Sequence, residues 1–370
     1  MHQFVRKFYY LLRPYIPLRY RWKLQEIVAD NKNGFYTQPM WPIPETPKYD
    51  DDFQKHYHLK SIPLPFVLTH DVDTRQGFEN ILEVAEVESK LGFRSSWNIV
   101  PNLYKIDFEI LEKLKEMGME VGVHDWNHDG KLFSKREVFL ERVELINDII
   151  SKWDAKGFRA GMAFHHDEWT QEIRCQYDSS YYDTDPYQPL GGGCSYITPY
   201  RLERIVEIPY NMPQDHVIFV AKAKVRLPKE MKIQGGDRET VISWIKEFGN
   251  RNKMVCEKSE NDETVICGID IWKMKLEWLI EKRGVIVMIT HPDYLCNRDL
   301  VVKPSLGYFS NKDDFILSVR EKGIVGCAWQ NSLLEQYAAF LIWAKNNFNR
   351  EIENYLAVEL YDKFVTLNKI

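Results

Sequence analysis

Two histidines and two aspartates are the residues of this sequence whose types and spacing first indicate chemistry. His124 and His128 stand four positions apart, so their imidazoles converge on one point if the segment between them turns helically. A carboxylate from Asp71 or Asp73 would give two nitrogens and one oxygen around a metal ion with an open position. That is the pattern of a hydrolytic metal site, and the remaining aspartate could accept a proton from water.

Two further residues fit the same chemistry. His291 could protonate a leaving group, and Arg159 could hold the base aspartate ionised, because a nearby cation lowers the pKa of a carboxyl group. All of these residues lie where strand-like runs end, at 64–70, 119–124, 157–161 and 284–291. Because active sites of α/β barrels are built from the C-terminal ends of their strands, the coincidence indicates a single site.

The segments between these runs predict the elements that position the site. Amphipathic helices are predicted over 77–92, 107–117, 134–153, 270–283 and 312–322, and further strands over 93–100, 204–210 and 323–329. Alternating strands and helices with short connections are typical of parallel βα units. We therefore predict an α/β fold: residues 1–60 form a basic and aromatic N-terminal extension, 61–330 a barrel and 331–370 C-terminal helices, over 331–348 and 350–364.

The motifs together resemble one known family, the polysaccharide deacetylases with NodB homology, which are the carbohydrate esterases of family 4. The segment 69–73 resembles their Thr-Phe-Asp-Asp motif, 124–128 their His-x-x-x-His motif, 159–161 their arginine motif and 289–291 their Ile-x-His motif. The resemblance covers roughly residues 62–330. It implies a distorted (β/α)7 barrel, to which the C-terminal helices would be an appendage. It also implies one divalent metal, usually Zn²⁺, and hydrolysis of an acetyl group from a sugar amide or ester.

The resemblance also assigns roles to individual residues. The metal ligands would be Asp73, His124 and His128, and the catalytic residues Asp71 as general base, Arg159 as its tether and His291 as general acid.

The first motif departs from the family pattern, because Val72 separates the two aspartates and His70 replaces an apolar residue. The two aspartate roles are then either as assigned or exchanged, or His70 faces the site. The family's fourth motif has no clean match, and Asp183 or Asp185 is expected to support His291.

Several residues around these motifs are candidates for contact with a substrate. The chain is 14% aromatic, and aromatic rings provide rigid stacking surfaces, although most are expected in the core. The predicted substrate-binding residues are Trp126, His166, Trp169 and Asp185. The segment 213–216, which follows a predicted strand, is a further candidate loop at the cleft.

Composition excludes some partners and predicts a location. With 49 Lys and Arg against 54 Asp and Glu, the chain lacks the basic excess of a general nucleic-acid binder. Residues 1–24 combine six cations with many aromatic residues, which suits either peripheral contact with an anionic membrane surface or an extension whose apolar residues pack on the domain surface. The second interpretation is favoured, because Pro14 and Pro17 interrupt any long helix. The same segment lacks the apolar run of a secretory signal, and the six cysteines form no CxxC pair. The expected location is therefore the cytoplasm, with peripheral attachment to a membrane as the alternative.

Three functions are compatible with these observations. The leading one is a metal-dependent hydrolase that removes an acetyl or other acyl group from an N-acetylated sugar of a polysaccharide or glycan precursor. The second is a catalytically repurposed barrel that binds carbohydrate or acts as a scaffold in polysaccharide biosynthesis. The third is a deacylase of another C–N amide, because the core chemistry would be identical.

Overall fold

The computed structural model describes residues 20, 41–58, 62–185, 193–220, 224–227, 264–297 and 333–368. The predicted helix over 312–322, the predicted strand over 323–329 and almost all of residues 1–24 lie outside these residues. The membrane contact and the cytoplasmic location therefore stay predictions. Among the described residues, no helix is both long and apolar enough to cross a membrane.

The described residues form eleven strands and ten α-helices, named here in chain order. The strands are β1 (Leu64–Val72), β2 (Ser95–Ile99), β3 (Glu120–His124), β4 (Gly157–Arg159), β5 (Tyr177–Asp178), β6 (Tyr200–Leu202), β7 (Ile205–Glu207), β8 (Lys224–Leu227), β9 (Thr264–Cys267), β10 (Ile286–Thr290) and β11 (Ile352–Tyr355). The helices are α1 (Asp51–Tyr57), α2 (Arg75–Glu79), α3 (Ile81–Leu91), α4 (Phe108–Glu116), α5 (Arg136–Trp153), α6 (Asp167–Thr170), α7 (Ile269–Glu281), α8 (Pro292–Leu295), α9 (Leu333–Phe348) and α10 (Ala357–Asn368).

Seven parallel strands form the wall of a barrel, in the order β10-β1-β2-β3-β4-β5-β7 among the described residues. All nine residues of β1 are buried, as expected for a strand of a parallel sheet that is covered on both faces. Helix α4 begins at the predicted Asp107 cap, and α3 ends at Gly92, which adopts a φ of 78°. The prediction of a distorted (β/α)7 barrel is confirmed.

The gap between the two ends of the barrel is bridged by the side chain and backbone of Asn211 rather than by a pair of strands. The Nδ2 of Asn211 donates to the carbonyl oxygen of Val285 at 2.8 Å, and its Oδ1 accepts from the backbone N–H of Val287 at 3.0 Å. The backbone N–H of Asn211 also donates to the carbonyl oxygen of Val287. The segment after β7 is therefore held against β10, and His291 directly follows β10.

The C-terminal residues include a strand that the sequence did not predict. Residues 352–355, expected to lie in a helix, form β11 and pair in parallel with the first half of β1. The amide of Asn354 explains this difference, because its Nδ2 donates to the carbonyl oxygens of Phe66 and Arg94 while its Oδ1 accepts from the N–H of Arg94. The expected helices are present on either side, as α9 and α10.

Candidate metal centre

Asp73, His124 and His128 come together at the C-terminal end of the barrel wall, where their ligand atoms lie within 4.8 Å of one another. The Oδ1 of Asp73 is 3.3 Å from the Nε2 of His124 and 3.3 Å from the Nε2 of His128. Two of these side chains stand at the ends of strands that lie on either side of β2, since His124 ends β3 and Asp73 follows β1. This group is the predicted ligand triad.

Three observations show that the triad fits a divalent metal ion. Two ligand atoms held about 2.0–2.1 Å from one tetrahedral ion lie about 3.3–3.4 Å apart, which agrees with the separations at Asp73. The Oδ1 of Asp73 is also buried without a hydrogen-bond partner, and such an atom is costly unless an ion or another group satisfies it. The Nδ1 of His124 lies 3.0 Å from the carbonyl oxygen of Arg159 and so donates to it, which leaves the lone pair on Nε2 for a ligand.

The sequence suggested that a helical turn brings the two histidines together, but the structure brings them together without one. Residues 125–128 form an irregular bend in which Asp125 and His128 both have positive φ angles, of 56° and 51°. Such angles are uncommon outside glycine and cluster at functional sites. Gly161 packs against this bend, since a Cβ there would lie 3.0 Å from Cδ2 of His128 and 3.2 Å from Cβ of Asp125. The glycine of the arginine motif is therefore required by close approach.

Asp71, next to the triad, is bound to Arg159. The Nη1 of Arg159 donates to Oδ1 of Asp71 at 2.8 Å and to Oγ1 of Thr69 at 2.9 Å. The Nδ2 of Asn98 donates to the same Asp71 oxygen at 3.0 Å. The other oxygen, Oδ2, is 3.8 Å from Nε2 of His124. Asp71 is thus fixed through one oxygen, while the second faces the candidate metal position.

Charge keeps both aspartates ionised despite their burial. Burial raises the pKa of Asp71, but the charge of Arg159, with smaller effects of His124 and His291, makes the net pKa lower than usual. Burial also opposes ionisation of Asp73, yet His128 and His124 bring its pKa well below the usual range. An ionised carboxylate is required both of a metal ligand and of a proton acceptor.

His291 is paired with Asp215, which the sequence placed in a candidate cleft loop but not beside His291. The Nδ1 of His291 lies 2.7 Å from Oδ1 of Asp215, and the His291 backbone N–H donates to Oδ2 at 2.7 Å. Burial alone would lower the pKa of His291, but the Asp215 charge and hydrogen bond raise it to about 10. The Nε2 of His291 lies 4.0 Å from Oδ2 of Asp73, so a proton on Nε2 faces the triad.

The segment 213–216, expected as a cleft loop, supplies this partner. The expected support from Asp183 or Asp185 is not what contacts His291: Asp183 pairs instead with the buried Nζ of Lys275. Asp215, His216 and His291 also form a second group with metal-ligand spacing. Both oxygens of Asp215, however, already accept hydrogen bonds from His291, and Oδ1 also accepts from the N–H of His216.

His70 does not face the site. It is fully buried, with Nε2 at 2.8 Å from Oε1 of Glu88 and Nδ1 at 2.8 Å from Oγ1 of Thr290. Its ring stacks on Trp97, with centroids 4.1 Å apart. Because successive side chains of a strand point to opposite faces, His70 lies behind the wall while Thr69 and Asp71 both reach Arg159.

The four predicted substrate-binding residues differ in burial and in the side chains that they contact. His166 and Trp169 stack on each other with ring centroids 4.2 Å apart, and Phe139 packs against Trp169 at 5.7 Å. One face of each stacked ring is thus occupied by the other. Trp126 is half-buried beside the bend, and Asp185 is buried. Substrate contact by these four residues stays a prediction.

No protein-family model and no curated protein matches the chain. Several solved structures are similar to the chain. One, provisionally named a polysaccharide deacetylase from Mycobacterium smegmatis, is 11% identical over 78% of this chain and 93% of its own, with a TM-score of 0.42. The peptidoglycan deacetylase PdaC from Bacillus subtilis is 11% identical over 84% and 97%, with a TM-score of 0.38. The chitin deacetylase from the fungus Colletotrichum lindemuthianum is 10% identical over 86% and 92%, with a TM-score of 0.35.

These names are those of the family that the sequence motifs resemble. At such identities and TM-scores, the likeness alone decides nothing about the activity of this chain.

Proposed function

We propose that the protein is a metal-dependent hydrolase of the polysaccharide deacetylase family, which removes an acetyl group from the nitrogen of an N-acetylated sugar in a glycan or glycan precursor. The observation that carries the proposal is the unsatisfied Oδ1 of Asp73 between the Nε2 atoms of His124 and His128. An ionised base, Asp71, and a protonated acid, His291, face the same point.

Three residues would hold one divalent ion, for which two nitrogens and one carboxylate oxygen favour Zn²⁺: Asp73, His124 and His128. When bound, such an ion polarises the acyl carbonyl group and lowers the pKa of water in the site.

The residues of the chain would divide the proton transfers between them. Asp71 accepts a proton from the attacking water through Oδ2, while Arg159 and Asn98 hold its Oδ1 and fix its orientation. His291 donates a proton from Nε2 to the departing sugar nitrogen, and Asp215 keeps its Nδ1 protonated and its ring aligned.

The sugar would be bound by the residues that border the motifs. We assign this contact to Trp126, which lies within the histidine motif, to His166 and Trp169, which follow the arginine motif, and to Asp185, which follows β5. Stacking of a ring on a sugar and hydrogen bonds to its hydroxyl groups would select the substrate.

Acetate release from N-acetylated oligosaccharides, with added Zn²⁺ and with a chelator, tests the proposal. We expect acetate release only with metal, and its loss together with stoichiometric metal binding in Asp73→Ala. The matched control is Asp148→Ala, which removes an exposed carboxylate from α5 and should change neither property. A native protein that releases acetate equally well in chelator would contradict the proposal.

The two competing functions predict other outcomes of the same assay. Stoichiometric metal with no release from any acylated sugar would favour the carbohydrate-binding or scaffold function. Metal-dependent hydrolysis of a formylated sugar or a small ureide, without acetate release, would favour the deacylase of another amide.

A further inference from the structure

Asp293 connects the two loops that carry the general acid and the metal-ligating carboxylate. It stands two residues after His291, in α8, and is only 8% exposed. Its Oδ2 accepts from the backbone N–H of Asp73 at 3.3 Å, and its Oδ1 accepts from the hydroxyl of Thr74. The hydroxyl oxygen of Thr74 in turn accepts from the N–H of Gly77 at 3.1 Å, which caps α2. The carboxylate therefore binds the turn that follows β1 at two successive residues.

The absence of a side chain at position 77 makes room for this carboxylate. A Cβ on Gly77 would lie 2.7 Å from Cγ and 2.9 Å from Oδ1 of Asp293, closer than real Cβ atoms approach other atoms. Gly77 lies within α2 and has no positive φ, so the helix itself would accept alanine there. The close approach of Asp293 is thus the structural reason for a glycine at this position.

We propose that Asp293 is a positioning residue for the metal centre, which sets the location of Asp73 through its backbone N–H and through Thr74. The inference rests on the proposed function, since it assigns Asp73 to a metal ion. Side chains that orient a metal ligand typically contribute 10- to 100-fold to metal affinity. Here the orientation also ties the Asp73 ligand to the segment that bears His291.

Metal affinity, measured by competition with a chromophoric chelator, tests this role without reference to activity. We expect Asp293→Ala to weaken Zn²⁺ binding 10- to 100-fold. Asp293→Asn should stay within about threefold of the native protein, because an amide can accept from Asp73 and donate to the oxygen of Thr74. The matched control is Asp270→Ala, which removes another buried carboxylate, 3.2 Å from Nζ of Lys273 in α7, and should leave the affinity unchanged.

A double-mutant cycle separates positioning from general destabilisation. Gly77→Ala should weaken metal binding by displacing the carboxylate of Asp293, and should have almost no further effect in the Asp293→Ala background, where nothing is left to displace. Equal affinity in the native protein and Asp293→Ala, or full additivity of the two changes, would overturn the inference. A native protein that binds no metal would instead contradict the proposed function.

Discussion

Replacement of Arg159 by methionine should show how much the Asp71 carboxylate depends on its cation. Both side chains are almost completely buried, and Nη1 of Arg159 donates to Oδ1 of Asp71 at 2.8 Å. Removal of one partner of a buried ion pair typically costs about 3–5 kcal/mol, because the other charge is left uncompensated. Arg159→Met also leaves the carbonyl oxygen of Ser179 without the 2.6 Å hydrogen bond from Nε. We therefore expect the free energy of unfolding to fall by about 4 kcal/mol at pH 7.

The companion change Asp71→Asn should recover part of that loss. In the double variant neither member of this pair is charged, and the amide oxygen still accepts from Asn98, so about 1–3 kcal/mol should return relative to Arg159→Met alone. The loss should also depend on pH. The folded protein has a lowered Asp71 pKa, so this carboxylate stabilises it above the pKa of the unfolded chain, and that stabilisation is lost as the pH falls. In Arg159→Met burial dominates and raises the Asp71 pKa, so the difference between the two proteins should shrink from pH 7 to pH 4.

Urea unfolding in chelator, followed by tryptophan fluorescence at both pH values, measures these differences. The reasoning is refuted if Arg159→Met is as stable as the native protein at pH 7. It is also refuted if Asp71→Asn restores nothing in the Arg159→Met background.

Two other substitutions test separate parts of the structure. Gly161→Ala should weaken Zn²⁺ binding about 10- to 100-fold, because its Cβ would press on His128 and Asp125; unchanged affinity by chelator competition would contradict the described bend. Asp178→Asn should raise the free energy of unfolding by about 1–3 kcal/mol at pH 8 and by little at pH 4. Burial, beside the buried Glu207, raises the Asp178 pKa of the folded protein to about 6. The native protein therefore keeps its full stability below about pH 4, where the Asp178 carboxyl group is protonated, and loses stability as the pH rises through 6, whereas an asparagine does not ionise. Thermal melts at both pH values measure it, and an equal shift at each would count against this account.

The sequence predicted those parts of the barrel that depend on local periodicity. Strand β1 reads as a buried strand because both faces of a parallel sheet are covered, and Asp107 and Gly92 mark helix ends by local hydrogen bonding and backbone freedom. The predicted acidic and histidine residues follow these strands, so they lie together at the C-terminal end of the barrel, where the carboxyl ends of parallel strands meet.

The parts that escaped prediction depend on contacts between distant segments. Asp215 meets His291 across 76 positions, because Asn211 holds the segment after β7 against β10. Strand β11 pairs with the first half of β1, which β2 leaves unpaired, and Asn354 binds backbone groups of Phe66 and Arg94 that lie at least 260 positions away in the chain. The orientation of His70 could have been predicted from the sequence, since side chains alternate along β1 and His70 therefore points to the other face of the sheet from Asp71.

The central claim is that one divalent ion binds between Asp73, His124 and His128. Anomalous diffraction at the zinc edge, from crystals of the protein grown with Zn²⁺, tests it most directly. We expect a single strong peak about 2.0–2.1 Å from Oδ1 of Asp73 and from Nε2 of both histidines. A peak at the other group with metal-ligand spacing, on Asp215 and His291, or no peak at full Zn²⁺ loading, would contradict the claim.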